Sequence, residues 1–219
     1  MSELVIVGSG VTAKMAHYYF TRDSAHQVLA FTVDQQYLDA DSFLGLPLIS
    51  LDEVVERYPP NDFQMFVALG YAKMNKLRAA KYFQAKELGY RLVSYVSSRC
   101  TLLTDNPVGD NCFILEDNTI QPFVKIGNDV TLWSGNHIGH DAIIDDHCFL
   151  ASHIVVAGFT HIKQYCFLGV NATLRNAITI APETLIGAGA IIMSDTVEQG
   201  VYLPERATLS DKKSSEIEL

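Results

Sequence analysis

A small parallel α/β domain followed by a parallel β-helix is the fold class this sequence predicts, and three observations predict it. From Val108 to Ile192 every sixth residue is aliphatic without a miss: Val108, Ile114, Ile120, Ile126, Leu132, Ile138, Ile144, Leu150, Val156, Ile162, Leu168, Leu174, Ile180, Ile186, Ile192. Backward extension adds Leu102 and Val96. A period of six is neither helical nor a simple strand alternation; it marks hexapeptide coils stacked into a solenoid. Before Val96 the rhythm changes to short apolar strands alternating with helical stretches, the pattern of a parallel α/β sheet. Third, the first strand ends in Gly8-Ser9-Gly10, a tight turn that opens a helix.

The elements follow in order. Residues 3–7 form an apolar strand, and a helical pattern runs from the glycine turn through Phe20. A second strand spans 27–33, and 47–49 is short and extended. Ser50-Leu51-Asp52-Glu53 reads as a capping box opening a helix to about Arg57. Residues 64–69 are a buried-type strand, 74–88 are helical, and 91–95 form a final strand. Hexads take over at about Val96 and run to Val197; seventeen of them make between five and six triangular coils. Coils of this kind stack neighbour on neighbour, each covering the apolar face of the next. The expected domains are 1–95, 96–200 and a polar, charged tail at 201–219, loosely packed or used for a neighbour's site.

A formal charge of −9 over 219 residues argues against nucleic acid or an anionic membrane surface as the main partner. Residues 1–8 lack the basic start of a signal peptide, and no window approaches a membrane-spanning helix, so a cytoplasmic protein is expected. Cys112, Cys148 and Cys166 share the fifth hexad position at multiples of eighteen residues, which stacks Cys148 on Cys166 in adjacent coils. Elsewhere that position holds Ala142, Thr160, Ala172, Thr184, Ala190 and Thr196, so a small residue is what fits there. Buried free thiols are therefore expected rather than a bridge or a metal site.

Gly8-Ser9-Gly10-Val11-Thr12-Ala13 fits G-x-G-x-x-G/A after a strand and before a helix, and Asp34 closes the second strand. The glycines let the backbone approach a phosphate, the helix N-terminus supplies oriented N–H groups, and Asp34 is placed for a ribose or base. A full dinucleotide needs two such halves and this domain supplies one, so a mononucleotide fits better than NAD. A tight turn that holds no ligand is the plain structural alternative.

Five of the seven histidines lie in the solenoid. Folded onto a triangle, His137 and His153 share one corner, His140 and His161 a second, and His147 occupies the third. His140 is the third residue of its hexad, where the chain leaves the flat face, and Asp141 follows to orient the imidazole. One coil on stands Gly158, whose N–H can approach a ligand without interference from a Cβ. A base beside an unobstructed N–H donor is what thioester acyl transfer needs: one removes a proton from the attacking amine or hydroxyl, the other stabilises the oxyanion. His137 is the rival base, with Asn136 and Trp133 lining its groove. His147 with Asp145 and Asp146 reads as a polar corner, and His153 and His161 as packing or interface residues.

These residues, together with Gly139-His140-Asp141 and the late Ile186-Gly187-Ala188-Gly189-Ala190, make the chain resemble the bacterial sugar acyltransferases of the sialic-acid O-acetyltransferase and UDP-4-amino-sugar N-acetyltransferase group. The resemblance covers almost the whole chain. It implies a left-handed β-helix, a homotrimer with sites between adjacent solenoids, and acetyl-CoA or another acyl-CoA as co-substrate, with no tightly bound cofactor and no metal. The acceptor it implies is a sugar, nucleotide-linked and amino-bearing, for surface polysaccharide synthesis, acylated on N or O by direct attack on the thioester. The family's histidine base and following acid fall on His140 and Asp141, its oxyanion glycine on Gly158, and its CoA contacts near Val170, Asn176, Gly187 and Ala188. The expected substrate-binding set is Gly8, Ser9, Gly10, Lys14, Asp34 and Gly70. At the first turn the family often reads Gly-x-x-Gly-His-Gly-Lys, where this chain has Val11, Thr12 and Ala13 in place of Gly-His-Gly. Two other readings compete: a metal hydratase holding zinc through histidines across a subunit interface, and a non-catalytic nucleotide-binding trimer.

Overall fold

A computed structural model describes residues 2–218. The N-terminal sheet is built from β1 (Ser2–Val7), β2 (His26–Val33), β3 (Ser42–Phe43), β4 (Leu46–Ser50), β5 (Phe63–Val67) and β6 (Arg91–Leu92), in the order β3-β4-β2-β1-β5-β6. All pairs are parallel except the β3–β4 hairpin. Helices α1 (Val11–Arg22), α2 (Val54–Arg57) and α3 (Lys76–Glu87) complete it. The strand order reverses at β1, so the C-terminal ends of β1 and β5 flank a crevice, the place where open α/β sheets bind ligands.

Three local expectations are corrected. No capping box opens α2: Ser50 ends β4, its hydroxyl accepts the Asp52 N–H at 3.3 Å, and the helix starts only at Val54. The third helix begins at Lys76 because Lys73, Met74 and Asn75 all adopt left-handed conformations, φ between 52° and 63°, which no α-helix continues through. The span 91–95 divides between two sheets: β6 ends the α/β sheet, whereas β7 (Tyr95–Val96) pairs with Phe113–Ile114 of the solenoid.

The solenoid is a left-handed β-helix of two-residue strands in three flat faces. Face A stacks Thr101–Leu102, Thr119–Ile120, His137–Ile138, Val155–Val156, Thr173–Leu174 and Ile191–Ile192. Face B stacks Lys125–Ile126, Ile143–Ile144, His161–Ile162 and Thr179–Ile180. Face C runs from β7 to Val201–Tyr202 in seven strands. That carries the solenoid sheet one residue before the expected start at 96 and two past the expected end at 200. Strands pair with residues eighteen further on, as His137 does with Val155, except that Leu185–Ile186 pairs with Val201–Tyr202, sixteen on. From Val108 to Ile192 the aliphatic series points inward and is buried except for the partly covered Val108, whereas in its backward extension Val96 is half-buried and Leu102 is exposed.

The fifth position is not reserved for small residues. Val124, Val130, Ile154 and Ile178 occupy it as well, and Asn118 and Asn136 stack there as a buried ladder. Asn118 Oδ1 accepts the Asn136 N–H at 3.2 Å and Asn136 Oδ1 accepts the Ile154 N–H at 2.8 Å, while both carboxamides donate to the Trp133 carbonyl. The thiols of Cys112, Cys148 and Cys166 donate to carbonyls fifteen residues on, at 3.1, 3.0 and 3.1 Å. Burial pushes the Cys112 thiol up to about 12, the state of an unreactive packing group.

A regularity absent from the hydrophobic pattern governs the corners. The fourth residue of every hexad from Asn111 to Gly189 has positive φ, including Phe123, His147, His153, Phe159, Tyr165, Ala177 and Glu183. A non-glycine residue there costs roughly 1–2 kcal/mol, so stacking between coils holds the corners in place. Nothing in residue type announces this, because the position accepts almost any side chain.

The α/β domain lies on face C, where Tyr95, Phe113 and Leu115 join the same core as Phe20 and Phe66. At this junction Asp23 accepts Tyr95 Oη at 2.6 Å and the Ser98 N–H at 2.9 Å. Hydrogen bonds from Ser98 and then Tyr95 hold its carboxyl down at about 2, below the ordinary 3.8. A depressed carboxyl contributes stability in full above pH about 4 and loses it as the pH falls through about 2. Asp23→Asn will therefore lower the melting temperature at pH 7, and the gap from the parent will close between pH 4 and 2. Thermal unfolding of both proteins across that range checks it; a gap unchanged at pH 2 rules it out. No helix among the described residues is long and apolar enough to cross a membrane.

Candidate functional site

His140 stands at the corner between faces A and B, on the turn after His137–Ile138. Its Nδ1 lies 2.9 Å from an Asp141 carboxylate oxygen, and the side chain is half exposed. With Asp141 accepting the Nδ1 proton, Nε2 is left as the acceptor. Nε2 faces Gly158 so closely that a Cβ there would sit 2.8 Å away. The Phe159 ring stands edge-on to the imidazole at 4.9 Å and limits its swing.

The N–H of the third hexad residue falls outside the solenoid's ladder. At Asp110, Asn128 and His140 a side chain caps it: Asn128 Oδ1 at 3.0 Å, Asp146 Oδ1 at 2.7 Å and Gln121 Oε1 at 2.8 Å. Among the described residues nothing caps the Gly158 N–H. An imidazole acceptor and a free backbone donor thus sit one coil apart, the pairing that proton removal and oxyanion stabilisation require.

The other histidines do not join His140. His161 lies on a strand of face B and not at the His140 corner as expected, and it bonds Asp145 at 2.9 Å. The polar corner expected of His147 with Asp145 and Asp146 is corrected: His147 is buried, its Nδ1 is 2.8 Å from Asp129, and Asp146 caps Asn128 instead. The groove expected beside His137 is not formed by Asn136 and Trp133, since Asn136 is buried in its ladder and Trp133 opens onto a different cavity.

That cavity, of about 550 Å³, lies between the α/β domain and the corner joining faces C and A. Val11, Thr12 and Gly70 form one wall, and Trp133, Phe149, Phe167, Val170 and Ala188 the other. Tyr71 closes it, its ring 5.0 Å from Phe149 and 4.7 Å from Phe167. The aromatic wall was missed in the sequence. Its signal is outward-facing phenylalanine recurring on face C at 113, 149 and 167, which an open solenoid face would not carry.

A second cavity, of about 440 Å³, occupies the crevice at the end of β1. It is lined by Gly8, Ser9, Gly10 and Asp34 together with Val33, Leu69, Leu77 and Lys81. Asp34 is ion-paired to Lys81 of α3. Gly70 lines the aromatic cavity instead, and Lys14 is exposed on α1 and lines neither. The expected CoA residues also separate. Val170 and Ala188 share the aromatic cavity, Asn176 is exposed at the His140 corner one coil beyond Gly158, and Gly187 is half-covered by Leu203 and Pro204.

Residues 123–158, which include His140 and Gly158, match the family described as bacterial transferase hexapeptide (six repeats). Among curated proteins, the chain is 27% identical over 99 residues to an acyl-[acyl-carrier-protein]–UDP-N-acetylglucosamine O-acyltransferase of Nautilia profundicola, covering 42% of this chain and 38% of that protein. It is 31% identical over 102 residues to a UDP-3-O-acylglucosamine N-acyltransferase of Herminiimonas arsenicoxydans, covering 45% and 27%. The chain thus spans well under half the length of these relatives. Among solved structures, it is similar to perosamine N-acetyltransferase from Caulobacter crescentus, solved with CoA and GDP-perosamine, at a TM-score of 0.82 and 22% identity over 93% of this chain and 94% of that one. It is also similar to WeeI from Acinetobacter baumannii AYE, with a TM-score of 0.76 and 17% identity over 92% and 94%. The chain carries hexapeptide repeats wound into a left-handed β-helix and shares its fold, N-terminal α/β domain included, with perosamine N-acetyltransferase over 93% of its length.

Proposed function

We propose that the protein transfers an acyl group, acetyl in the first instance, from acyl-CoA to an amine or hydroxyl of a nucleotide-linked sugar. The observation that carries this is the juxtaposition of His140 Nε2 with the uncapped Gly158 N–H. In the reaction, Asp141 holds the imidazole by its Nδ1 proton and Nε2 accepts the proton of the attacking group. That group adds to the thioester carbonyl, and the Gly158 N–H receives the developing oxyanion. Collapse breaks the C–S bond, and the proton on Nε2 passes to the departing CoA thiolate. The glycine turn of the crevice takes the nucleotide phosphates, and Asp34 its ribose.

In one chain His140 lines neither cavity. A cyclic assembly supplies the missing partner. Face C is covered by the α/β domain and face B presents Lys125, Asp145 and Lys163 outward, whereas face A exposes Leu103, Val155, Ile191 and Met193. A homotrimer with face A turned to its axis sets the A–B corner of one copy, with His140, against the C–A corner of the next, with Val170 and Ala188. This head-to-tail closure joins base, donor site and acceptor crevice.

The test is release of free CoA from acetyl-CoA in the presence of a panel of nucleotide-linked 4-amino and hydroxy sugars. Turnover that needs both substrates supports the reading. Tight nucleotide binding without CoA affinity or turnover would favour the non-catalytic reading instead.

A further inference from the structure

We infer that Phe159 is a positioning residue for acyl transfer: its ring holds the His140 imidazole with Nε2 turned to the Gly158 N–H. The inference rests on His140 acting as the base, as proposed above.

The main chain of His140 is fixed at both ends. Gln121 Oε1 accepts its N–H at 2.8 Å, and its carbonyl accepts the Phe159 N–H at 3.0 Å. The imidazole is held less well. Asp141 is its only hydrogen-bond partner among the described residues, and that bond stands open to solvent. On the Nε2 side is Gly158, which has no side chain to pack against the ring. One solvated hydrogen bond is worth little net, and it leaves the side-chain torsions of His140 several staggered wells. Phe159 removes that freedom. Its ring is perpendicular to the imidazole with centroids 4.9 Å apart, the edge-to-face pairing that aromatic rings favour.

Nothing in the fold asks for a phenylalanine there. Phe159 has φ 60°, a left-handed conformation that glycine and asparagine adopt most easily and bulky residues at a cost. Its ring is 58% exposed and belongs to none of the three apolar cores. Among the described residues His140 is its one ring contact. Tyr165, at the same hexad position of another corner, is instead half-buried and stacks on His147, which packs against Tyr82 and Phe83 of α3. An exposed apolar ring in a costly conformation, packed only on a candidate base, serves the base rather than stability. Phe123 supplies the comparison within the same chain. It lies two coils earlier on the same corner, with φ 67°, is 66% exposed, and makes no ring contact among the described residues.

The experiment compares Phe159→Asn, Phe159→Tyr, Phe123→Asn and His140→Ala with the parent, and adds Phe159→Asn in the His140→Ala background. Release of CoA from acetyl-CoA is followed with a nucleotide-linked sugar on which the parent turns over. Phe159→Asn is expected to lower kcat about two- to tenfold, the range that an edge-to-face ring pair supplies. The KM for acetyl-CoA will stay unchanged and the melting temperature will equal or exceed the parent's. Phe159→Tyr will keep kcat, as will Phe123→Asn, and in the His140→Ala background Phe159→Asn will cost nothing further. An unchanged kcat in Phe159→Asn overturns the inference, as does an equal loss in Phe123→Asn. A further loss in the His140→Ala background overturns it too, because the ring would then act on the substrate itself. Crystal structures of the parent and Phe159→Asn test the same point without an acceptor. The imidazole is expected on Gly158 in the parent and turned away, or split between rotamers, in the variant; an unmoved single rotamer overturns the inference. His140→Ala separates the two readings. If it retains kcat, the base and its positioning residue fall together; if it loses kcat and Phe159→Asn does not, only the positioning role falls.

Discussion

His140→Ala will lower kcat for acyl transfer by about two to four orders of magnitude, the range that a positioned general base contributes. Acetyl-CoA affinity will stay nearly unchanged. The imidazole is half exposed, touches Asp141, Phe159 and Gly158, and supports no core packing, so its removal leaves the coil intact. Steady-state kinetics beside direct CoA titration on a folded protein of unchanged oligomeric state makes the measurement. Equal loss of binding and turnover would move the base elsewhere, His137 being the first rival. Gly158→Ala acts on the same step, because its Cβ would stand 2.8 Å from Nε2 and force the ring aside.

Arg78→Met will destabilise the protein by about 3–5 kcal/mol, the cost of stranding a buried charge. Arg78 lies on α3 and is only 2% exposed. Its Nε donates to Asp129 at 3.0 Å, and its other nitrogens donate to Asn75 Oδ1 and to the carbonyls of Asp129, His147 and Cys148. Asp129 also accepts from Asn111 at 2.7 Å and bonds His147, while Asn75 reaches the Cys166 carbonyl at 3.0 Å. Asn111 in turn pairs with both backbone groups of Val67 on β5. One guanidinium therefore ties the α/β domain to successive coils of the solenoid. At roughly 2–4 °C per kcal/mol for a chain of this size, the expected fall in melting temperature is about 6–20 °C. Arg78→Met combined with Asp129→Asn removes the stranded charge while keeping a residue that tolerates the left-handed φ of 54° at that corner, so it will recover part of the loss. A single variant within about 1 kcal/mol of the parent would show the network to be dispensable.

The repeat was legible because a stacked coil must bury one side chain of each hexad in a narrow prism, and burial writes itself into residue type. Val108 to Ile192 therefore announce coil number, register and the eighteen-residue step. That step alone sets Gly158 on His140, and the same arithmetic places the cysteines in one column. The glycine turn was legible for a related reason, since Gly8 has a φ of 118° and a Cβ there would stand 3.0 Å from the Ala68 carbonyl oxygen. Short local features failed instead. Ser50 and Asn75 sit where turn geometry overrides side-chain preference, so the predicted cap and helix start were misplaced.

Interactions between the two domains left no periodic trace. Arg78 on a helix and His147 at a corner look solvated when read alone, and only packing reveals that they share Asp129 in a buried interface. The aromatic cavity is of the same kind, because Tyr71 and Phe149 come from parts of the chain that no local rule connects. Local burial and backbone constraints were thus determined by the sequence itself: the β-helix, the glycine turn and the pairing of His140 with Gly158. The tertiary structure alone decided which face of the solenoid the α/β domain covers. It thereby set which face stays bare and on which side of that face the aromatic cavity opens, since docking depends on the sum of many weak contacts between distant residues and not on any one of them.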